Sequence, residues 1–293
     1  MNRKKELIGH LLASVTIFTW GTTFISTKLL LETLSPVEIL FLRFTIGFAA
    51  LLLIYPHKLK IKERKQDLYF AAAGLCGVTL YFLFENIALT YTSASNVGVI
   101  VSAAPFFTAI LAHRFLEGEK LRMRFFVGFV AAVAGIFIIS FNGSSRLQLN
   151  PMGDILAFLA AAVWGAYAVL TKKISGFHYN IIQTTRRIFF YGLLFMLPAL
   201  LIFGFKPDPD QMIQPVNLFN ILFLGLGASA LCFATWNCAV KILGAVKTSA
   251  YIYALPVITV ITSILVLHER ITGIAAMGIV LTIAGLLVSQ SKN

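Results

Sequence analysis

The stretch LYFLFENIALTYTSASNVGVIVSAAP, residues 80–105, decides the fold because part of it recurs further along the chain. Residues 237–256, NCAVKILGAVKTSAYIYALP, repeat the spacing of residues 86–105 at an offset of 151. The first copy is preceded by a carboxylate, Glu85, whereas an aromatic residue, Trp236, stands at the matching position of the second copy. The sequence therefore raises two questions: why an apolar segment is duplicated, and why one copy carries an acid.

The composition indicates that lipid surrounds most of the chain. Hydrophobic residues make up 58% of the 293 residues, charged residues 12%, and the mean hydropathy is +0.86. Soluble domains carry about 25% charged residues. This chain therefore lacks the polar surface that a soluble protein of its length needs, and its surplus apolar surface must face lipid.

Ten apolar segments are bounded by charges and turn residues, and most are near the ~20 residues that a helix needs to cross a bilayer. Spans of this length are helices, because lipid offers no partners to unpaired backbone groups. The predicted spans are residues 7–31, 36–55, 68–89, 93–112, 122–141, 151–173, 180–203, 216–240, 245–267 and 273–289. The sequence thus predicts an all-α integral membrane protein with ten transmembrane helices.

Basic residues are concentrated in alternate loops. Seventeen Lys and Arg residues fall on the side of the N-terminus and four on the opposite side. This bias is the positive-inside pattern and predicts that both termini are cytoplasmic. It also accounts for the basic stretch HKLKIKERK, residues 57–65, so we expect no nucleic-acid partner. The expected location is the inner or plasma membrane, crossed many times.

The first and second halves of the chain are copies of one another. At an offset of 144 residues, the pair Trp20–Gly21 matches Trp164–Gly165, and Arg43 matches Arg187. Each copy holds five predicted spans, residues 1–145 and 146–293. Because five is odd, the second copy starts on the opposite side of the membrane, so the two five-helix repeats are inverted. Inverted repeats are typical of secondary transporters, which bind substrate near the bilayer midplane between the repeats.

These duplicated features resemble those of the EamA-type carriers of the drug/metabolite transporter superfamily. Each repeat has an early WG, an Arg late in its second span, a Pro inside its fourth, and a glycine-rich fifth span after a loop reading LEGEKL or LHERI. The resemblance covers nearly the whole chain. It implies a ten-helix fold and efflux of amino acids or related metabolites from the cytoplasm.

Glu85 is the foremost candidate for a functional residue. A charge at the centre of a membrane helix costs ~2.5 to 3.5 kcal/mol on insertion scales, so such residues usually face a cavity or a partner. Tyr81, one turn earlier, lies on the same helix face. Glu85 either binds a substrate ammonium or carries a coupling proton, or it reaches lipid headgroups or pairs with Lys28 near the end of its span.

Aromatic and polar residues of both repeats are the other candidates for substrate binding. Trp20 and Trp164 head equivalent helical stripes, which either line a cavity or pack as ordinary core. The full predicted substrate-binding set is Trp20, Phe24, Tyr81, Glu85, Asn96, Trp164, Tyr167, Trp236, Tyr251 and Tyr253.

Two prolines and two arginines recur at matching positions and are candidates for hinges or gates. Pro105 and Pro256 remove helix hydrogen bonds and permit bending, although proline is common in membrane helices. Arg43 and Arg187 are interpreted as a structural ion pair or gate, with recognition of a substrate charge as the alternative.

Enzymatic motifs such as GxSxG, HExxH and the P-loop are missing from the sequence, so we expect a carrier rather than an enzyme. No pair of histidines has metal-ligand spacing, and we expect neither metal nor cofactor. The prediction is a secondary active transporter of a small-molecule substrate, monomeric or weakly homo-oligomeric in the lipid bilayer. The alternatives are an exporter of cationic drugs or of aromatic, nucleoside-like metabolites, a channel, or an intramembrane enzyme.

Overall fold

The computed structural model describes residues 3–117, 123–141, 150–268 and 271–290, and every regular element within these ranges is a helix. We number the long helices in chain order. They are α1 (Arg3–Leu30), α2 (Pro36–Ile54), α3 (Arg64–Tyr91), α4 (Ala94–Phe115), α5 (Met123–Phe141), α6 (Pro151–Ser175), α7 (Ile181–Phe203), α8 (Pro215–Leu243), α9 (Ala245–Leu267) and α10 (Gly273–Gln290). A single helical turn, Pro209–Met212, lies between α7 and α8.

Eight of the helices are long and apolar enough to cross a membrane, counted over the described residues. The other two, α5 and α10, contain shorter described apolar stretches, Phe126–Gly135 and Ala276–Gly285. The chain is therefore a multi-pass membrane protein, whereas the crossing of the bilayer by α5 and α10 stays a prediction. The predicted boundary at residues 145 and 146 and parts of the loops LEGEKL and LHERI lie outside the described residues.

The third helix of each half contains a wider π-helical segment, Leu75–Leu80 in α3 and Phe223–Leu231 in α8. The first segment, shifted by the repeat offset of 151, falls inside the second. A π turn holds one more residue than an α turn and occurs frequently at functional sites. The two halves therefore share a backbone irregularity that their different sequences did not reveal.

The fourth helix of each half is interrupted directly before its proline. Regular helix in α4 stops at Val101 and resumes at Ala104, while in α9 a 3-10 stretch, Ala250–Ala254, follows the first α-helical turn and precedes Leu255. Pro105 and Pro256 then lie in the first turn of the resumed helices. A proline is tolerated there because a first-turn N–H has no partner within the helix.

Helices of one half pack chiefly on helices of the other. α1 packs against α8 and α9, α6 packs against α3 and α4, and α2 packs against α7, while α5 and α10 pair along their lengths. The contact between α3 and α7 is close at Gly74, where a Cβ atom would lie 2.6 Å from the carbonyl oxygen of Ile188. The core of the protein therefore lies between the halves rather than within each of them.

Candidate functional site

A small cavity lies among α1, α3, α4, α6 and α9, so both halves of the chain contribute to its wall. Five of the predicted substrate-binding residues line it, namely Trp20, Phe24, Tyr81, Glu85 and Trp164. Its volume is about 20 Å³, and a water molecule requires about 10–15 Å³ on this measure. The structure therefore shows the protein closed around the site, with space for about one water molecule.

Glu85 is enclosed in the second half of α3, with 1% of its surface exposed. Its carboxyl group interacts electrostatically with the Arg43 guanidinium and also interacts with the Tyr81 hydroxyl. Its Oε1 atom has no hydrogen-bond partner among the described residues. Lys28, the alternative ion-pair partner, instead donates to the backbone carbonyls of Leu89 and Thr92. The side chain thus faces the cavity rather than lipid headgroups.

Arg43 on α2 is also 1% exposed, and its guanidinium interacts electrostatically with the Glu85 carboxylate. Its Nε donates to the hydroxyl of Ser229 at 3.0 Å, and its guanidinium lies 4.2 Å from the centre of the Phe82 ring. Within the described part of the chain, Nη1 and Nη2 have no hydrogen-bond partner. Nor do Arg43 and Glu85 form an ion pair within 4.0 Å there.

Arg187, at the matching position of the second repeat, has a different environment. Its Nε and Nη2 donate to the two carboxylate oxygens of Asp67 at 3.1 and 2.8 Å, and Tyr191 completes this group. About a third of its side chain is exposed. The interpretation as a structural ion pair therefore fits Arg187 and does not fit Arg43.

Tryptophans from both repeats meet at the cavity wall. The ring centres of Trp20 and Trp164 are 5.1 Å apart, with an edge-to-face geometry that aromatic pairs favour. Trp236, fully buried, lies 5.1 Å from Trp20 and is not part of the lining. Tyr167 packs behind Trp164 at 4.8 Å and donates to the Oδ1 atom of Asn237. Both residues support the wall rather than face the cavity.

Three predicted binding residues lie away from the cavity. Asn96 donates to Thr92 and Asp154, and the hydroxyl of Tyr251 contacts His10 near the start of α1. Tyr253 is buried in the 3-10 stretch of α9 and does not line the cavity.

Tyr251 and Tyr253 do not line the cavity because they lie in a 3-10 stretch of α9. A 3-10 helix aligns residues three apart, so Ile252 and Leu255 face the cavity in place of Tyr251 and Tyr253.

Sequence reasoning also missed several residues of the site. The remaining lining residues are Thr23, Phe82, Val101, Ala104, Ile252 and Leu255. Phe233 packs against both Trp20 and Trp164, at 5.7 and 6.0 Å. Phe82 and Phe233 are separated by 151 residues, the repeat offset, so that duplication was the signal that could have identified them.

Metal binding finds no support in the part of the chain that the structure describes, where no three His, Cys, Asp or Glu side chains come together. The cavity instead offers one carboxylate and a wall of aromatic rings, with the Arg43 guanidinium against the Phe82 ring of that wall. Such an arrangement can bind a charged or zwitterionic amine and cover its apolar part.

The family model described as "EamA-like transporter family" matches the chain twice, over residues 7–141 and 151–290. The chain belongs to this EamA-like transporter family. The resemblance expected from the duplicated motifs is thereby confirmed, and the chain is a member of a family of transporters.

Other transporters align with it over almost their whole length. An uncharacterized transporter of Archaeoglobus fulgidus is 27% identical over 288 residues, covering 97% of this chain and 98% of the relative. A protein of Streptantibioticus cattleyicolor, described as a probable terminal-alkyne amino-acid exporter, is 26% identical over 282 residues, covering 95% and 92%. A crystal structure with 18% identity matches with a TM-score of 0.69, covering 99% of this chain and 97% of that chain, which shows a shared fold.

Proposed function

We propose that this EamA transporter exports amino acids or related small metabolites by alternating access, with Glu85 at the substrate site. The observation that carries the proposal is the enclosed carboxylate of Glu85 in a tryptophan-lined cavity between the halves. Ionisable residues inside membrane segments are costly and usually mark substrate or proton pathways. Glu85 binds the substrate ammonium or exchanges it for a coupling proton, while Trp20 and Trp164 cover the apolar part.

The two halves act as inverted repeats, residues 1–145 and 146–293, that rock about the site. The double family match supports two repeats. Further support comes from the matched π-helical segments and the matched interruptions before Pro105 and Pro256. With five spans in each repeat, the second repeat is inverted and both termini are cytoplasmic. The prolines serve as hinges at which α4 and α9 bend.

An amino acid is too large for the closed cavity, so transport requires the halves to separate on one side at a time. The cavity has room for about one water molecule. Opening on either side would expose Glu85 to a solute from that side alone, which is the condition for alternating access.

The amino-acid assignment draws on the relative described as a probable terminal-alkyne amino-acid exporter. The second candidate, export of cationic or aromatic metabolites, is favoured by the aromatic wall and by Glu85, the one acid that faces the cavity among the described residues. Competition among lysine-like, neutral and aromatic compounds for transport would separate the two candidates.

The test is substrate-driven flux in proteoliposomes. We expect Glu85→Gln to reduce amino-acid flux roughly tenfold or more, a loss of about 1.4 kcal/mol of binding or transition-state stabilisation, and Trp164→Ala to reduce it as well. Glu6→Gln is the matched control, because it makes the same chemical change at a partly exposed position at the start of α1, away from the cavity. Wild-type flux in folded Glu85→Gln protein would remove Glu85 from the mechanism.

A further inference from the structure

Charges buried in the protein are few. Among the described residues, four charged side chains are less than a tenth exposed: Glu38, Arg43, Glu85 and Arg186. Glu38 and Arg186 bind backbone groups of loops near the helix ends. The interior around the cavity therefore holds one basic and one acidic side chain in the described structure, and their charges sum to zero when both are ionised.

The repeat explains why Arg43 is left without an acid of its own. Arg187 pairs with Asp67 across the halves, from α7 to α3. The equivalent pair in the other direction would join Arg43 on α2 to residue 218 on α8, and that residue is Leu218. Without a carboxylate at position 218, the Nε of Arg43 donates to the Ser229 hydroxyl, and its guanidinium lies over the ring of Phe82.

Phe82 connects Arg43 to the cavity. One face of this ring carries the guanidinium, and the same side chain forms part of the cavity wall beside Glu85. Charges interact more strongly in an interior that holds little water than they do in solvent, and the Arg43 guanidinium interacts electrostatically with the Glu85 carboxylate. Arg43 therefore contributes a positive charge to the potential that any substrate meets at Glu85.

We propose that Arg43 determines the charge class of the substrate, so that the site accepts zwitterions and rejects monocations. This inference rests on the proposed function and deepens it. A zwitterion with its ammonium at Glu85 leaves the sum of charges at zero. A monocation leaves one uncompensated positive charge in a buried site, which is costly. The carboxylate of the zwitterion lies on the side of Arg43.

The experiment compares two probes that differ by a carboxylate, phenylalanine and phenethylamine. Their dissociation constants are measured on purified full-length protein by intrinsic tryptophan fluorescence, since Trp20 and Trp164 line the cavity. The wild type is expected to prefer phenylalanine. Arg43→Met removes the positive charge and shifts the ratio of the two constants roughly tenfold or more toward phenethylamine.

Two control variants isolate the charge from the structure. Arg43→Lys keeps the charge and is expected to keep the wild-type ratio, whereas a purely structural role would make it resemble Arg43→Met. Arg187→Met removes the equivalent arginine in the second repeat, which pairs with Asp67. We expect it to leave the ratio unchanged, whatever its effect on stability.

A third variant makes the test independent of whether Arg43→Met folds. Glu85→Gln leaves the charge of Arg43 uncompensated, so the ratio should move in the opposite direction, toward phenylalanine. An unchanged ratio in folded Arg43→Met, or a shift in the same direction for Glu85→Gln, would overturn the inference and leave the transport function intact. If the wild type neither binds nor transports amino acids, the proposed function itself fails.

Discussion

α3 and α8 share a π-helical segment at matching positions, but they differ in the side chain that follows it. Each contains a π-helical segment, and each places one residue of interest just beyond it: Glu85 in α3 and Trp236 in α8. Glu85 faces the cavity, whereas Trp236 packs against Trp20 behind the wall. The two helices therefore share a backbone feature, while only α3 has an acidic side chain at this position.

The same contrast separates Arg43 from Arg187. Arg187 has a bidentate carboxylate partner at the edge of the protein, and Arg43 has none in the described structure. The difference originates in one position, where α3 has Asp67 and α8 has Leu218. The two matching arginines therefore differ in burial, with Arg43 in the interior and Arg187 partly exposed.

Truncating Trp236 tests whether this side chain supports the cavity wall, and it has the largest expected effect on stability. Trp236→Ala leaves a void beside Trp20 in the fully buried aromatic wall, and such changes cost about 3–5 kcal/mol. We expect a marked fall in the melting temperature of the purified protein. The melting temperature of Trp236→Phe should fall less, and that of Glu85→Gln should stay near the wild-type value. A wild-type melting temperature for Trp236→Ala would contradict a supporting role.

Gly74 tests how closely α3 must approach α7. A Cβ atom at this position would meet the backbone of α7, at 2.6 Å from the Ile188 oxygen and 2.7 Å from the Gly192 nitrogen. Because backbone atoms cannot move aside, Gly74→Ala is expected to destabilise the protein by about 1–3 kcal/mol.

Gly227 in α8 provides the matched control for Gly74. A Cβ atom there would have its nearest neighbour, the Phe223 ring, at 3.6 Å. Gly227→Ala should therefore melt within a degree or two of the wild type (about 0.5 kcal/mol or less). Equal melting temperatures for the two alanine variants would show that the approach of α3 to α7 is not as tight as described.

The coupling energy of the Arg187–Asp67 pair tests how the environment of Arg187 differs from that of Arg43, and its expected effect on stability is smaller. Both side chains are partly exposed, so their coupling should be about 1 kcal/mol or less. A double-mutant cycle with Arg187→Met and Asp67→Asn measures it from thermal unfolding at low and high salt. A coupling that exceeds this range and ignores salt would mean that the pair is as enclosed as Arg43.

Tyr251 is expected to show the smallest effect. Its hydroxyl contacts His10 and does not face the cavity, so Tyr251→Phe should lose about 1 kcal/mol of stability and leave the affinity for phenylalanine unchanged. Tyr81→Phe is the comparison, because Tyr81 lines the cavity beside Glu85. Weaker phenylalanine binding in Tyr251→Phe alone would place the substrate elsewhere in α9.

Periodicity and duplication were sufficient to predict the helices and the meeting of Trp20 with Trp164. The length of an apolar segment indicates a membrane helix directly. The offset of 144 residues matched Trp20 with Trp164, and their ring centres lie 5.1 Å apart in the cavity wall. Glu85 could be predicted because a carboxylate in an apolar span is rare. These inferences depend on composition and spacing alone.

Other parts of the site depend on backbone detail that spacing does not contain. The 3-10 stretch Ala250–Ala254 turned Tyr251 and Tyr253 away from the cavity. Arg43 and Arg187 looked equivalent because the repeat aligns them, and their difference depends on a partner in another helix, Asp67 or Leu218. Contacts between helices decide such cases, and one sequence read along its length does not reveal them.

The π-helical segment Leu75–Leu80 has a consequence for the direction in which Glu85 points. Each residue of a regular helix advances the side chains by about 100° around the axis, and the wider turn accommodates one extra residue. If the same residues formed a regular α-helix, everything beyond this segment would be rotated by about that angle relative to the start of α3. The carboxylate would then face away from Trp20 and Trp164, so its aim is set by an inserted residue five or more positions earlier in the chain.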